Sequence, residues 1–352
     1  MRPSGARDPV QHVPIPPERA GLELDEFLCL VFPRLSKGAV RRKVRDGQVL
    51  LDGRPTTPGH KLREHEVLLV EVDELEEGSP EPEQRGPELD VLWEDEHVLA
   101  VDKPAGLAAE PERWARENAS LSGAVLDLAL SRGAGPPGAD EEHPGEDALS
   151  LGFRPRLVHR LDKDTTGVVL VAKTLEAERE LRAAFEDGRV RKRYLALVEG
   201  ELRLPDGEEQ VIDLPIGPDE RRSGRMRVDL QRGKPSRTRV RVEQRFQGYT
   251  LLSCEPETGR THQIRVHLRE TGFPLAVDPY YGRRDSLSLS DFKRDYRRKP
   301  GHVEAALIDR LTLHAREIEF PRVAGQGRVR VEAPIPKDLA RTLKQLAKFR
   351  AP

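Results

Sequence analysis

Residues 154–173 read RPRLVHRLDKDTTGVVLVAK. The end of this segment, VVLVA at 168–172, is continuously apolar and mostly β-branched, the pattern of a strand buried on both faces. Just ahead of it a polar loop sets Asp162 between Arg160 and Lys163, with Thr165, Thr166 and Gly167 expected to form the turn. A carboxylate among cations is held ionised, which suits a nucleophile or an electrostatic stabiliser better than a general acid. Taken alone, such an aspartate is more often a turn residue in a salt bridge. Two downstream segments shift that balance.

The stretch KRYLALVEG (192–200) reads as a strand that begins near Tyr194, with Arg191, Lys192 and Arg193 around the ring. A tyrosine face can carry a stacked base, worth about 1–3 kcal/mol, and the neighbouring cations suit phosphates. TGRTHQIRVHLRETG (258–272) reads as a short helix: Thr261 is the expected cap, Ile264 and Leu268 share a face, and Gly272 with Pro274 ends it. Arg265 lies one turn from Thr261, so it can point where the preceding loop points. The plainer alternatives are a half-buried core tyrosine and a structural ion pair.

Around these segments the chain has 352 residues, too many for one ordinary core, so two domains are expected. Hydrophobic residues make up 36% and charged residues 34%, with 29 Gly and 29 Pro, the composition of a soluble, loop-rich protein. The longest uncharged apolar stretch near the middle is 167–172, far short of the roughly 20 residues that span a bilayer. The N-terminal MRPSGARDPV has no apolar core of a signal peptide, and the two cysteines, Cys29 and Cys254, form no CxxC. A cytoplasmic protein without a disulfide framework is expected.

The net charge of −2 conceals local extremes. Of the 59 basic residues 46 are Arg, whose planar fork matches phosphates and base edges. Residues 34–45 hold six basic side chains and no acid, residues 221–241 nine against one, and 283–299 seven against three. Residues 71–90 carry nine acids and one Arg. Segregation of this kind produces basic surfaces that bind RNA, although a solvated, salt-bridged surface explains any one run.

The chain divides at the acidic stretch. Residues 1–17, with five prolines, read as a flexible tail, and 76–88 as an acidic linker. Between them, Leu24, Phe27, Leu28 and Val31 form one helix face that Pro33 stops. A second short helix follows, with Ser36 at its N-cap, Val40 and Val44 on one face, Gly47 as its stop, and Lys37, Arg41, Arg42, Lys43 and Arg45 as its basic face. VLLDG (49–53) and VLLVEV (67–72) are strands. Through LDEFL, LSKGAVRRKVRDGQVLLDG and HEVLLVE, residues 18–75 resemble an S4-like RNA-binding module, which implies RNA contacts from that basic helix. A solvated helix face is the competing reading. Residues 133–147 (GAGPPGADEEHPGED) read as an exposed loop insertion within the larger domain, 89–352.

Several chemistries are excluded by pattern. There is no HExxH, no HxH, no GxxxxGK[ST] and no GxSxG, and His262 and His267 are five apart instead of the four of a helical zinc pair. Neither a metal nor a cofactor is expected. The segments HRLDKDTTG, KRYLALVEG and TGRTHQIRVHL, in this order, resemble the motifs of the RluA-type family of RNA pseudouridine synthases. So do EDEHVLAVDKPAGL (94–107), GFPLAVDPYYG (272–282) and LTLHAREIEF (311–320). The resemblance covers essentially 89–340.

The resemblance implies an α+β fold, a catalytic domain built on a mixed, mostly antiparallel sheet with a central basic cleft, beside the small N-terminal α/β module. It makes Asp162 the nucleophile, Tyr194 the ring that stacks on the target uracil, Arg265 the partner of the carboxylate, and Arg160 an arginine near the displaced nucleotide. The family often has serine where Thr166 stands and a Gly-Asp pair where this chain has Val277-Asp278, a change at the wall of the pocket. The implied partner is RNA, large-subunit ribosomal RNA ahead of transfer RNA; no membrane contact is expected, no protein partner is legible in the sequence, and a monomer is expected. The segment 283–303 is a variable extension, and LARTLKQLAKF (339–349) suggests a closing helix. Two rivals stand beside the synthase: a non-catalytic RNA-binding protein, and a base-releasing N-glycosidase-like hydrolase that would need a second carboxylate, for which Asp164 is the obvious choice.

Overall fold

The computed structural model describes residues 10–15, 20–32, 35, 37–71, 87–110, 120–131, 156–205, 207–293, 295–297 and 303–352. The chain separates into two compact units, Met1–Glu88 with Glu110–Arg156, and Leu89–Ala109 with Leu157–Pro352. The break after residue 88 falls where the acidic stretch ends. The segment Glu110–Arg156, read from sequence as part of the larger domain, groups with the first unit, where Arg156 pairs with Glu26 at 3.7 Å. The insertion at 133–147 and the greater part of the linker lie outside the described residues.

In the first unit, β1 (Val10–Pro14), α1 (Leu24–Val31), α2 (Lys37–Arg45), β2 (Val49–Leu51), β3 (Arg54–Pro55) and β4 (Val67–Glu71) precede α3 (Leu121–Ser131). The four strands form an antiparallel sheet in the order β1-β4-β2-β3. Alternation in β4 buries Leu68 and Val70, and the helical period of α1 buries Leu24, Phe27 and Leu28 against them, with Val40 and Val44 from α2. Each such side chain removed from water contributes roughly 1.5–3 kcal/mol. Asp52 and Gly53 both take positive φ, the Asp-Gly turn that fits a two-residue hairpin between β2 and β3.

One expectation changes here. The stretch taken as a flexible tail contains β1, which pairs with β4 from Val10↔Glu71 to Pro14↔Val67 and leads into the buried Ile15. Its prolines hid the strand, but β1 lies at the sheet edge, where a residue without an N–H is tolerated. Ser36 and Pro33 lie outside the described residues.

The second unit is a mixed, sheet-dominated α+β body. Its strands are β5 (Asp90–Glu94), β6 (Val98–Lys103), β7 (Arg156–Leu157, whose first residue is the last of the first unit), β8 (Thr166–Ala172), β9 (Arg191–Glu199), β10 (Gln210–Asp213), β11 (Ile216–Pro218), β12 (Met226–Val228), β13 (Arg237–Phe246), β14 (Tyr249–Pro256), β15 (Leu313–Pro321) and β16 (Arg328–Glu332). The main path runs β10-β13-β14-β9-β15-β8-β6-β5, with β16 beside β15, while β11 and β12 make a separate hairpin. Along that path every pairing is antiparallel except β15 with β8. β8 is buried at every position, as its apolar run predicts.

Among the described residues four helices complete the unit: α4 (Leu175–Glu186), α5 (Gln263–Glu270), α6 (Leu289–Phe292) and α7 (Lys337–Phe349). Strand alternation in β9 divides the core. Leu195 and Leu197 face the cluster containing Leu339 and Leu346 of α7, the expected closing helix. Ala196 and Val198 face the cluster containing Ile264 and Leu268 of α5, and Tyr194 packs against that same cluster. A period of two thus places Tyr194 on the side of the sheet that carries α5. Arg310 fastens α7 to the sheet through two bonds to Asp338, at 2.6 and 2.7 Å.

Candidate active site

The loop carrying Asp162 is pinned at both ends. Ahead of it, His159 Nε2 accepts the Leu170 N–H at 2.9 Å. Behind it, Thr166 Oγ1 lies 3.0 Å from His314 Nδ1. The Thr165 N–H closes a turn onto the Asp162 carbonyl at 3.0 Å, so the turn is centred on Lys163 and Asp164. Thr166 and Gly167, expected within it, instead open β8, because the backbone must already be extended to pair with β15 at His314↔Thr166 and Ala315↔Gly167. From below, the wholly buried Lys103 donates to the carbonyls of Pro104, Leu107 and Lys163 at 2.8–2.9 Å. Burial lowers the Lys103 pKa to about 8, against the pull of Asp164 and Asp162.

Arg265 reaches this loop from α5. Its Nη1 donates to Asp162 Oδ2 at 2.8 Å, while Nε and Nη2 grip both oxygens of Asp278 at 2.8 Å each. Arg265 is 5% exposed, Asp278 1% and Asp162 26%, so the guanidinium is an internal bridge and Asp162 is the end that meets solvent. The rings of Tyr280 and Tyr281 flank the guanidinium at 5.4 and 5.0 Å. Asp278 is fixed in turn by the N–H groups of Tyr280 and Tyr281, at 2.8 and 3.0 Å on Oδ1.

The helix begins differently from the expected Thr261 cap. His262 occupies the N-cap position in the left-handed region, φ +55, and its side chain makes no cap. The Gln263 amide does the local work, accepting from Thr258 Oγ1 and the Arg260 N–H while donating to Arg237 O and Thr238 Oγ1. Thr261 instead receives Arg160 Nη2 at 3.4 Å. Turning the backbone at His262 brings its ring to the site: Nε2 is 4.0 Å from Asp162 Oδ1 and Nδ1 is 2.8 Å from the Tyr281 hydroxyl. That hydroxyl also accepts the Met226 N–H at 2.7 Å, and in a neutral imidazole one ring nitrogen donates while the other accepts. Burial lowers the His262 pKa and favours this neutral form.

Asp162, Tyr194, Arg160 and Arg265 all line one cavity of about 610 Å³, within the size range of nucleotide and ligand pockets. The three residues expected to act together therefore do share a site. Burial, followed by the charge of Asp162, raises the Tyr194 pKa, so its hydroxyl remains a phenol. Thr165, 2% exposed, also lines the cavity, and its hydroxyl has no hydrogen-bond partner among the described residues.

The basic helix α2 belongs to the first unit. Arg42 and Arg45 are exposed. Arg41 is half-exposed but paired with the buried Asp25 at 2.7 Å. Lys43 turns inward, 8% exposed, and donates to Glu71 O at 3.1 Å, because it lies three residues from Val40 and shares that helix face. The Lys37 side chain lies outside the described residues.

Asp278 and His262 were not singled out from sequence. Asp278 stands in GFPLAVDPYYG, where an aspartate before Pro reads as a turn former, and its role depends on a helix thirteen residues away. Val277, expected at the pocket wall, is wholly buried on the opposite side, in the cluster with Leu197 and Leu339. No group of three or more His, Cys, Asp or Glu suited to a metal ion occurs among the described residues. No helix among them is long and apolar enough to cross a membrane.

Comparison with known proteins gives a consistent result. The RNA pseudouridylate synthase family matches residues 97–270. A ribosomal large subunit pseudouridine synthase D of Nitrosomonas europaea is 35% identical over 333 residues, covering 94% of this chain and 86% of that one. A ribosomal large subunit pseudouridine synthase C of Escherichia coli is 35% identical over 350 residues, covering 97% and 98%. Among solved structures, human RNA pseudouridylate synthase domain containing 4 has a similar fold, with a TM-score of 0.50 and 22% identity over 73% of this chain and 92% of that one. The similarity spans nearly the whole length of this chain and of its bacterial relatives, and the chain belongs to the RNA pseudouridylate synthase family.

Proposed function

We propose that this protein isomerises uridines of large-subunit ribosomal RNA to pseudouridine, with Asp162 as the nucleophile. The observation that carries the reading is the 2.8 Å contact of Arg265 with Asp162 at the mouth of a cavity that Tyr194 also lines. The relatives named above, which act on the large ribosomal subunit, support the choice of RNA.

The reaction breaks the bond between uracil N1 and C1′ of the ribose, turns the free base, and joins C5 to C1′. The C5 hydrogen leaves as a proton and N1 ends protonated, so atoms balance with no co-reactant. Taking the uridine out of its stack costs a few kcal/mol, which stacking on Tyr194 offsets. Arg265 consumes Oδ2 of Asp162 and leaves Oδ1 toward the cavity, where it attacks C1′ or removes the 2′ proton to form a glycal. Arg160 and Arg260 line the same cavity and give its approach the basic character that a phosphodiester chain requires. The N-terminal unit acts as an S4-like RNA-binding module through Arg42 and Arg45, and the protein works as a cytoplasmic monomer.

The hydrolytic alternative named Asp164 as its second carboxylate. Asp164 does not line the cavity, and its charge falls on Lys103. Mapping pseudouridines in large-subunit ribosomal RNA from cells with and without the protein tests the proposal. Loss of specific sites, restored by the wild-type chain and not by Asp162→Asn, is the expected result. An unchanged map, full activity of Asp162→Asn, or release of free uracil from the RNA overturns it.

A further inference from the structure

Lys192 lies two residues before Tyr194 on β9, and the two-residue period turns both side chains into the same cavity. The other cations lining that cavity are engaged by the protein: Arg265 by two carboxylates, Arg160 by Thr261, and Arg260 by Pro235 O. Lys192 is different. Among the described residues its ammonium has no carboxylate at ion-pair distance and makes no hydrogen bond; its neighbour is the Phe185 ring, 5.8 Å from Nζ to the ring centre. Phe185 packs in turn on His159 at 4.8 Å. Of the acids on the cavity wall, Glu257 is already held by Arg239 and Arg237 at 2.7 and 3.6 Å.

A half-buried ammonium without a counter-ion is costly, and here burial brings its pKa down to about 8. The cost disappears when an anion enters the cavity. We propose that Lys192 is a phosphate-binding residue of the active site, its ammonium pairing with the RNA phosphodiester adjoining the nucleotide whose base stacks on Tyr194. Base and phosphate are then read by alternate residues of one rigid strand, which fixes the sugar between them over Asp162. The inference rests on the reading of the cavity as a uridine site in RNA. Lys192 binds and positions; the bond-breaking step belongs to Asp162.

The test uses the full-length protein and an unmodified transcript of large-subunit ribosomal RNA, with affinity measured across a series of salt concentrations and conversion followed at saturating RNA. Lys192→Met keeps the aliphatic stem over Phe185 and removes the charge; Lys192→Arg keeps the charge. Loss of one charge-assisted contact weakens affinity of Lys192→Met by about tenfold. The slope of log affinity against log salt becomes shallower by about 0.7, the value for one phosphate on a single strand. Lys192→Arg restores both, and conversion at saturation, lowered in Lys192→Met because the sugar is no longer held over Asp162, recovers with it. A Lys192→Met slope equal to wild type, or weak binding that Lys192→Arg does not rescue, assigns the side chain to packing and overturns the inference. Failure of the wild-type protein to convert the transcript, by contrast, overturns the functional reading on which it rests.

Discussion

Arg265 Nη1 and Asp162 Oδ2 meet at 2.8 Å although 103 residues separate them in the chain, and the same guanidinium holds Asp278 through two further bonds of 2.8 Å. One planar fork thus ties a helix, the loop carrying Asp162 and an Asp-Pro turn into a single unit. An ammonium is a point donor and cannot span both carboxylates in this geometry.

Arg265→Lys is therefore expected to keep much of the fold but to lower kcat by at least about a hundredfold with RNA affinity little changed, because only the orientation of Asp162 is lost. Arg265→Met leaves the buried Asp278 uncompensated and is expected to cost about 3–5 kcal/mol of stability. Single-turnover rates together with urea unfolding separate the two effects. Full activity of Arg265→Lys would show that Asp162 needs no such alignment.

Gly167 opens β8 with φ +115 directly against the backbone of Ala315, where a β-carbon would overlap the carbonyl oxygen and lie 2.7 Å from the carbonyl carbon. The opposing atoms are backbone, so no side-chain rotation relieves the overlap. Gly167→Ala combines this clash with a conformation that L-residues avoid, and is expected to cost more than about 3 kcal/mol. It also shifts the adjoining Asp162 turn, so activity falls with stability. A thermal midpoint within about 2 °C of wild type would mean that β8 and β15 separate easily at this point.

Charge reversal on α2 distinguishes residues that one sequence run made equivalent. Arg42→Glu with Arg45→Glu alters exposed positions and is expected to weaken RNA binding with a shallower salt dependence, leaving folding intact. Lys43→Glu places a carboxylate in the buried position facing Glu71 O, and is expected to destabilise the first unit. Filter binding across a salt series, read beside circular dichroism, tests both. Unchanged affinity of the double variant at low salt would remove α2 from the RNA interface.

How far the sequence could be read depended on whether a role is made locally. Tyr194 follows from the alternation of one strand and Asp162 from its place just before an unbroken apolar run. The fold of the second unit was legible for the same reason, since β8 is an unbroken apolar run while β9 and α7 carry periods of 2 and 3.6. Lys43 was misplaced although Val40, Lys43 and Val44 stand at i, i+3 and i+4, a spacing that already puts the lysine on the inward face. The roles of Asp278 and His262 were not legible, because each is created by contacts between distant segments and, for His262, by a left-handed backbone that no side-chain pattern announces. The edge strand β1 was obscured by its prolines, which mark irregular chain and sheet edges alike.

His314 contributes to the pH dependence of the fold. It is wholly buried in β15, with Nδ1 bonded to Thr166 Oγ1 at 3.0 Å, and burial lowers its pKa from 6.5 to about 4. Above pH 6.5 the imidazole is neutral in both folded and unfolded chains and costs nothing. As the pH falls from 6.5 toward 4, the unfolded chain takes up a proton that the folded chain refuses, so stability is lost across that window. At pH 5 this one group accounts for a loss of about 2 kcal/mol relative to pH 7.5. His314→Gln retains a hydrogen-bonding group for Thr166 and cannot titrate, so its unfolding free energy is expected to fall less between those two pH values, by about that amount. Urea unfolding of both proteins at pH 7.5 and pH 5 provides the comparison. Equal losses in the two would show that acid enters the fold elsewhere, with His314 protonated no less readily in the folded chain than in the unfolded one.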